Sequence, residues 1–361
     1  MDKNIVNIRF FDCDINFIGE VDIFTSLFYI SKWETYGQFE MHFKSYNNRI
    51  KKGNYIMLNN NPNLTGIIEY INDKTESLNK DITVKGFSLG YLLFNRATVP
   101  EKGLAYQSFN NMNIEDIMIG LVNANAINPT NINRKIPHLV ASSSKHRGIK
   151  LNFQSRFRNL TDELTKLSKV SGLGWNISLD YKNKRFVFNV LEGLDLTTNQ
   201  TINPPKIFSL KYDNILKQEY TTSNIGYKNM AYVLGQGEGA KREIITLNDD
   251  LKALERCELV VDARDIEDGS NLSDRGKIKL AENKQINSFE CEVDSSDYRD
   301  TWNLGDLVTA VNVDWSVIQN DRVAEVKETW ENAEYKVEPT FGTPIPTPME
   351  KLKEMNDNEI N

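Results

Sequence analysis

Alternation of apolar and polar residues constrains this chain more than any other feature. From Phe289 it reads Phe289-Glu290-Cys291-Glu292-Val293, then a turn, then Trp302-Asn303-Leu304-Gly305-Asp306-Leu307-Val308. Two longer strand-like runs follow, over residues 322–330 and 335–341. A period of two is that of a half-buried β-strand, so residues 289–342 predict a compact antiparallel meander. Gly305-Asp306 falls where the chain must turn, and glycine supplies the positive φ that such turns need. No catalytic signature lies inside the stretch.

The pattern occurs twice. Phe39-Glu40-Met41-His42-Phe43 is followed by Lys52-Gly53-Asn54-Tyr55-Ile56 and by strand-like runs at 66–71 and 81–87. Both copies run from a Phe-Glu strand through a Gly-Asx turn into three further strands, and both end at a glycine-containing turn (Gly86, Gly342). The sequence therefore predicts an α+β, mainly β chain with two similar small β-barrels or sandwiches and helical pieces inserted between them.

Local signals fill in the rest. Residues 5–30 read as strand, turn, strand, and the polar run 72–80 as the loop of a hairpin. Asn113 is placed to cap a helix over 113–125, with Asp116 near its positive end. Asn159 caps a helix over 160–171, Gly172 ends it, and a hairpin follows over 175–190. Strands are expected at 208–212, 218–222, 231–234, 243–247 and 257–261, then a helix capped by Ser273 and running to about Asn283. Pro344, Pro346 and Pro348 predict a stiff spacer before an amphipathic segment with Met349, Leu352 and Met355 on its apolar side. The expected units are 1–100, an α/β insert over 101–202, a second β module over 203–342, and a tail over 343–361.

Composition narrows the function. The 361 residues are 40% hydrophobic and 26% charged, ordinary for a globular chain. A net charge of −7 argues against a dedicated nucleic-acid binder. No apolar run reaches the roughly 18–20 residues of a membrane span, so no stable membrane insertion is expected. Asp2, Asp12, Asp14 and Glu20 interrupt any secretory leader, which predicts synthesis in a cytoplasm. Cys13, Cys257 and Cys291 form no C-x-x-C pair and read as free, mostly buried thiols.

The chemical candidates are weak. Gly235-Gln236-Gly237-Glu238-Gly239 lacks the spacing of a nucleotide-binding loop and reads as a hairpin tip. Asp262-Ala263-Arg264-Asp265, with Glu267 and Asp268, is the nearest approach to a paired-carboxylate glycosidase site. Its polar surroundings favour a solvated loop with local ion pairs. His42, His138 and His146 fall in no metal-ligand pattern. Trp33, Trp175, Trp302, Trp315 and Trp330 are dispersed, as core or interface anchors are. No catalytic residue, cofactor or metal site is assigned.

Several segments in order resemble a bacteriophage tail protein family, the baseplate hub or tail-associated proteins of long-tailed phages and prophage tail particles. They are Lys32-Trp33 through Gly37-x-Phe39-Glu40, Gly86-Phe87 to Arg96-x-x-x-Pro100, Gln154-Ser155-Arg156-Phe157 with Asn159-Leu160, and Gly172-Leu173-Gly174-Trp175. Tyr227-Lys228-Asn229 through Gly239, Asp262-Ala263-Arg264-Asp265, and Leu304-Gly305-Asp306 through Phe341-Gly342 complete the set. The resemblance implies a structural virion protein with two tube-like β-barrels per chain. It implies a homotrimer at the tail tip that joins the tail tube protein to a central spike protein and contacts other baseplate proteins. DNA would at most pass through its channel, for which the net charge predicts an acidic lining. The family carries no catalytic residues. The chain stops soon after Pro348, which leaves no expected room for a built-in hydrolase or receptor-binding domain. The alternatives are a cell-wall glycan hydrolase using the acids near Asp262 and a carbohydrate- or receptor-binding tail protein using exposed Trp.

Overall fold

The alternating runs become neighbours in one large sheet. The computed structural model describes residues 5–45, 48–76, 79–266 and 271–346, and among these the chain is mainly β with three α-helices. The sheet path begins Phe17–Val21, Ile8–Phe11, Tyr55–Leu58, Thr65–Glu76, Asn79–Ser88, Gln38–Phe43, Ser26–Lys32. It continues through Val317–Glu331, Glu334–Gly342, Ile286–Val293 and Ile215–Ser223. Every neighbouring pair along it is antiparallel. Leu307–Asn312 pairs with the start of Val317–Glu331, and Ile207–Ser209 runs parallel to Leu307–Asn312.

Two separate barrels were the expectation, and the strand pairing corrects it. The path is open, with no closed barrel among the described residues, and it crosses from one half to the other without a break. The cause is the 15-residue strand Val317–Glu331. Its residues 325–331 take Glu334–Gly342 on one flank and Ser26–Lys32, from the first half, on the other. One buried cluster accordingly draws Phe10, Leu27, Phe39 and Val84 from the first half and Phe208, Phe289, Val326 and Phe341 from the second.

The repeat is present residue by residue. Phe39 faces Gly86 as Phe289 faces Phe341. A bulge interrupts the ladder between Ile68 and Tyr70, and again between Val323 and Glu325. Gly53 N–H donates to the Ile68 carbonyl at 2.8 Å, and Gly305 N–H to the Val323 carbonyl at 2.8 Å. The return bonds, Ile68 N–H to Asn54 and Val323 N–H to Asp306, measure 3.0 and 2.8 Å. Both glycines hold positive φ, +83° and +92°. Thus the Gly-Asx turn of each half clamps the bulge of its own third strand.

The polar run 72–80 is strand at its described residues, 72–76 and 79–80, and not loop. The ladder pairs Asn72 with Thr83, Lys74 with Asp81, and Glu76 with Asn79. Residues 72–75 are exposed, so no period-two signal marked them as strand. The equivalent second-half hairpin closes at Glu331 and Glu334.

Helix α1 (Ile114–Val122), α2 (Leu160–Ser171) and α3 (Leu272–Glu282) lie off the sheet. Asn159 caps α2 through the N–H groups of Thr161 and Asp162, and Gly172 closes it at φ +76°. With the hairpin Gly174–Asp180 and Arg185–Leu191, α1 and α2 pack over Tyr55, Met57 and Ile67. Asn113 precedes α1 as expected but its side chain makes no cap. The strand Gln107–Asn113 runs straight into the helix, and the carbonyls of Ile149 and Arg147 take the N–H groups of Ile114 and Glu115. Ser273 is not the cap of α3 either. The helix begins at Leu272, two residues earlier than a Ser273 cap would give, and Leu272 is buried in a third, smaller core. That core belongs to a separate sheet of Ile244–Leu247, Met230–Leu234 and Glu258–Asp262 beneath α3, a unit the sequence did not separate from the second module. The expected amphipathic tail and Pro348 lie outside the described residues.

The two turns should respond differently to a methyl group. A Cβ at residue 53 meets nothing within 4 Å, whereas one at 305 falls 2.1 Å from the Trp33 ring. Gly53→Ala is expected to cost only the left-handed strain, ~1–2 kcal/mol. Gly305→Ala adds overpacking of ~1–3 kcal/mol. Urea unfolding midpoints of the two variants test the order.

Candidate functional site

The feature that can do work in this molecule is the set of strand edges, and the internal seam shows how two such edges join. Across the seam Lys32 faces Glu325, Tyr29 faces Glu328 and Ser26 faces Glu331. Glu328 points inward and is 0% exposed. Arg299 grips it with both guanidinium arms, one at 2.9 Å, and the Tyr335 hydroxyl donates to it at 2.7 Å. Burial, then the Glu328 charge, pushes the Tyr335 hydroxyl pKa upward. A carboxylate without water is tolerable only with such partners.

A second fastening lies at the end of the seam. The Arg322 guanidinium sits over the Trp33 ring, 5.5 Å from its centre, and donates to the Gly305 carbonyl. Trp33 Nε1 donates to the Gly172 carbonyl at 3.0 Å, and Trp175 Nε1 to the Glu34 carbonyl at 2.8 Å. The α2 end is thereby tied to both halves of the sheet.

Besides the terminal strand Phe17–Val21, two edges that bear on the repeat carry no strand among the described residues. Ile215–Ser223 pairs only with Ile286–Val293. Thr65–Glu76 pairs with Asn79–Ser88 along its length, but Tyr55–Leu58 reaches only its Thr65, Gly66 and Ile67 on the other flank. The repeat gives these edges meaning. Tyr220 faces Phe289 as Tyr29 faces Phe39, so Ile215–Ser223 stands where Ser26–Lys32 stands. Tyr70 and Glu325 follow equivalent bulges, so residues 70–76 stand where 325–331 stand. The chain thus exposes the same two surfaces it has joined internally. On the polar face of the sheet, Lys32 pairs with Glu325 (3.3 Å), Lys85 with Glu40 (2.9 Å), Lys327 with Glu338 (2.9 Å) and Lys336 with Glu292 (3.7 Å).

The chemical candidates do not come together. Asp262 bonds Arg264 at 2.6 Å and Arg242 at 2.7 Å. Those bonds, from Arg264 foremost, hold its pKa down at about 2, the opposite of a general acid's. Asp265 pairs instead with Arg275 at 2.9 Å. Glu267 and Asp268 lie outside the described residues. Gly235–Gly239 forms the tip between Met230–Leu234 and Ile244–Leu247, where Gly235 N–H donates to Glu243. His42 bonds Glu40 and His146 bonds Asp116, while His138 lies exposed in a turn. No metal-holding group of His, Cys, Asp and Glu occurs among the described residues. A cavity of about 250 Å³ beside the seam is lined by Trp33, Tyr36, Asn63, Trp175 and Arg299, with no carboxylate, His or Cys in its wall. Trp33, Trp175, Trp302 and Trp330 are core residues, but Trp315 is exposed. Of the thiols only Cys291 is buried. Cys13 is exposed because it sits in the turn after Ile8–Phe11, and Cys257 is half-buried.

A family model described as Siphovirus ReqiPepy6 Gp37-like protein matches residues 7–343. The chain belongs to this family. The family is a siphovirus one, in keeping with the phage resemblance of the ordered motifs. No curated protein matches it. Solved structures that share its fold include three tail proteins. The 43 kDa tail protein of prophage MuSo2 from Shewanella oneidensis aligns at TM-score 0.61 and 13% identity, over 94% of this chain and 98% of that one. The tail protein from Neisseria meningitidis MC58 gives 0.61 and 14%, over 93% and 96%. Prophage tail protein gp18 from Listeria monocytogenes EGD-e gives 0.56 and 11%, over 97% and 98%.

The seam can be tested directly. Arg299→Ala strands the Glu328 carboxylate and is expected to cost ~3–5 kcal/mol, whereas Arg299→Met with Glu328→Met removes both charges and costs far less. Chemical denaturation of the two variants should separate them clearly.

Proposed function

We propose that three copies of this tail protein join head to tail into a ring at the tip of the tail. Each outer edge Ile215–Ser223 pairs with residues 70–76 of the next copy in the register of the internal seam. The ring acts as the baseplate hub of a virion or phage-tail-like particle, joining the tail tube protein above to the central spike protein below and organising the other baseplate proteins. The observation that carries this reading is the equivalence of the exposed and joined edges. A head-to-tail contact repeated by rotation closes a ring, and two modules per chain make three chains present six similar faces. Strand addition to an open edge supplies main-chain hydrogen bonds across each contact.

The register adds chemical support. Thr329 faces Phe28 in the internal seam, and the equivalent residues across the contact between copies are Lys74 and Glu219. Opposite charges would meet there. The paired charges on the polar face suit a channel wall, since its lysines are matched by glutamates and offer a passing polyanion little counterion release. In this reading residues 1–100 and 203–342 are the two tube-like modules, and the work is done by interfaces with no enzymatic step.

Lys74→Glu and Glu219→Lys should each weaken ring assembly, by about 1 kcal/mol per contact. The double variant should restore it. Mass measurements in the presence of the tube protein read this out, and Lys74→Cys with Glu219→Cys in a Cys13→Ser background should trap disulfide-linked trimers. Single variants that assemble as well as the parent would count against the register. Clearing of bacterial walls in a zymogram by the purified chain would overturn the non-enzymatic reading.

A further inference from the structure

We infer that the hairpin tip carrying Val313, Trp315 and Ile318 is the docking face for a threefold-symmetric protein partner. The inference rests on the ring reading above and assigns one end of the ring to one kind of partner. It begins where the repeat fails. Met57 faces Thr65 as Thr309 faces Asn320, and up to that point the two halves agree. Beyond it the first half turns at once, and the α/β hairpin covers the turn. Leu179 N–H donates to the Pro62 carbonyl at 3.0 Å, and Asn176 to the Asn63 side chain at 3.1 Å. The second half instead runs on through Ala310–Gln319, Val311–Ile318 and Asn312–Val317 pairs and ends uncovered.

The chemistry of the uncovered tip is apolar. Val313 is 61% exposed, Trp315 75% and Ile318 70%. The neighbouring strand Ile207–Ser209, in register with Thr309 to Val311, leads directly into Leu210 and Tyr212, also exposed. Large apolar side chains gathered on one projection mark a protein contact, and a tryptophan is a common anchor for one.

Copy number selects the partner. At the opposite end of the sheet both halves close alike, at Glu76–Asn79 and Glu331–Glu334, so a ring of three chains offers six equivalent hairpins there. The apolar tip occurs once per chain, so the ring offers three. A sixfold partner would leave half of its contacts without a counterpart at this end. A trimer with three apolar seats matches every tip.

Iodide quenching tests this on the full chain. The other four tryptophans are buried, so the quenchable signal reports Trp315. Trp315 should remain quenchable in the free chain and in rings assembled on the tube protein, and become protected when the purified central spike protein is added. Val313→Ser with Ile318→Ser keeps the reporter and should weaken spike binding at least tenfold while the rings form normally. Trp315→Ser, followed by spike co-sedimentation, should do the same. Protection on ring formation alone would make the tip a contact between copies and overturn the inference. So would protection by the tube protein, or undiminished spike binding by folded variants. Absence of any ring, seen by mass before quenching, would fail the hub reading itself and remove the copy-number argument with it.

Discussion

The antiparallel ladder between Ser26–Lys32 and Val317–Glu331 joins residues from opposite ends of the chain, and the rest of the architecture is conditional on it. Without it the large sheet would part into two open pieces, each with an apolar face made for the other. Glu328 makes the junction selective. Its carboxylate is sealed from water and is satisfied only when Arg299 and Tyr335 are in place around it. A slip of the ladder by one residue would turn Glu328 outward, and Val326 and Trp330 with it. Hydrophobic burial supplies the attraction, and the buried charge rejects the wrong register.

The same seam explains why the α/β pieces sit where they do. Trp33 leaves the ladder at Lys32 and places its indole between Gly305, Arg322 and the end of α2. Trp175 reaches back to the Glu34 carbonyl. The helix, the first half and the turn of the second half are thus fixed by one aromatic residue and its neighbours. The geometry leaves no slack at Gly305, because the space a side chain would need is occupied by the ring.

What could be read from the residues is what short-range chemistry determines. Asn159 and Gly172 bound α2 because an N-cap oxygen and a left-handed C-cap act within a few residues. The hairpin after it and the paired Gly-Asx turns were visible for the same reason. The seam was not, since nothing in either strand states which distant edge it will meet. Residues 72–75 were missed because a strand exposed on both faces shows no alternation. At the start of α1, where Asn113 makes no cap, carbonyls from the segment leading into Lys150–Ser155 take the first N–H groups. Trp315 reads like its four buried counterparts, and only the longer second hairpin puts it outside.

The two halves agree most closely in their main chains and differ in what their side chains ask for. At the clamped turn, Asn54 donates to the Arg49 carbonyl at 2.8 Å and stays within its own half. Asp306, in the same place, accepts from Leu194 N–H at 2.8 Å and Asn303 N–H at 2.7 Å. Leu194 lies just beyond the α/β hairpin, so the second turn anchors the returning chain as well as its own bulge. An amide can give and a carboxylate can only accept, and that one difference lets a repeated turn hold different neighbours. A duplicated backbone can therefore keep the same turn and bulge in both halves while its side chains distinguish the two halves of each chain.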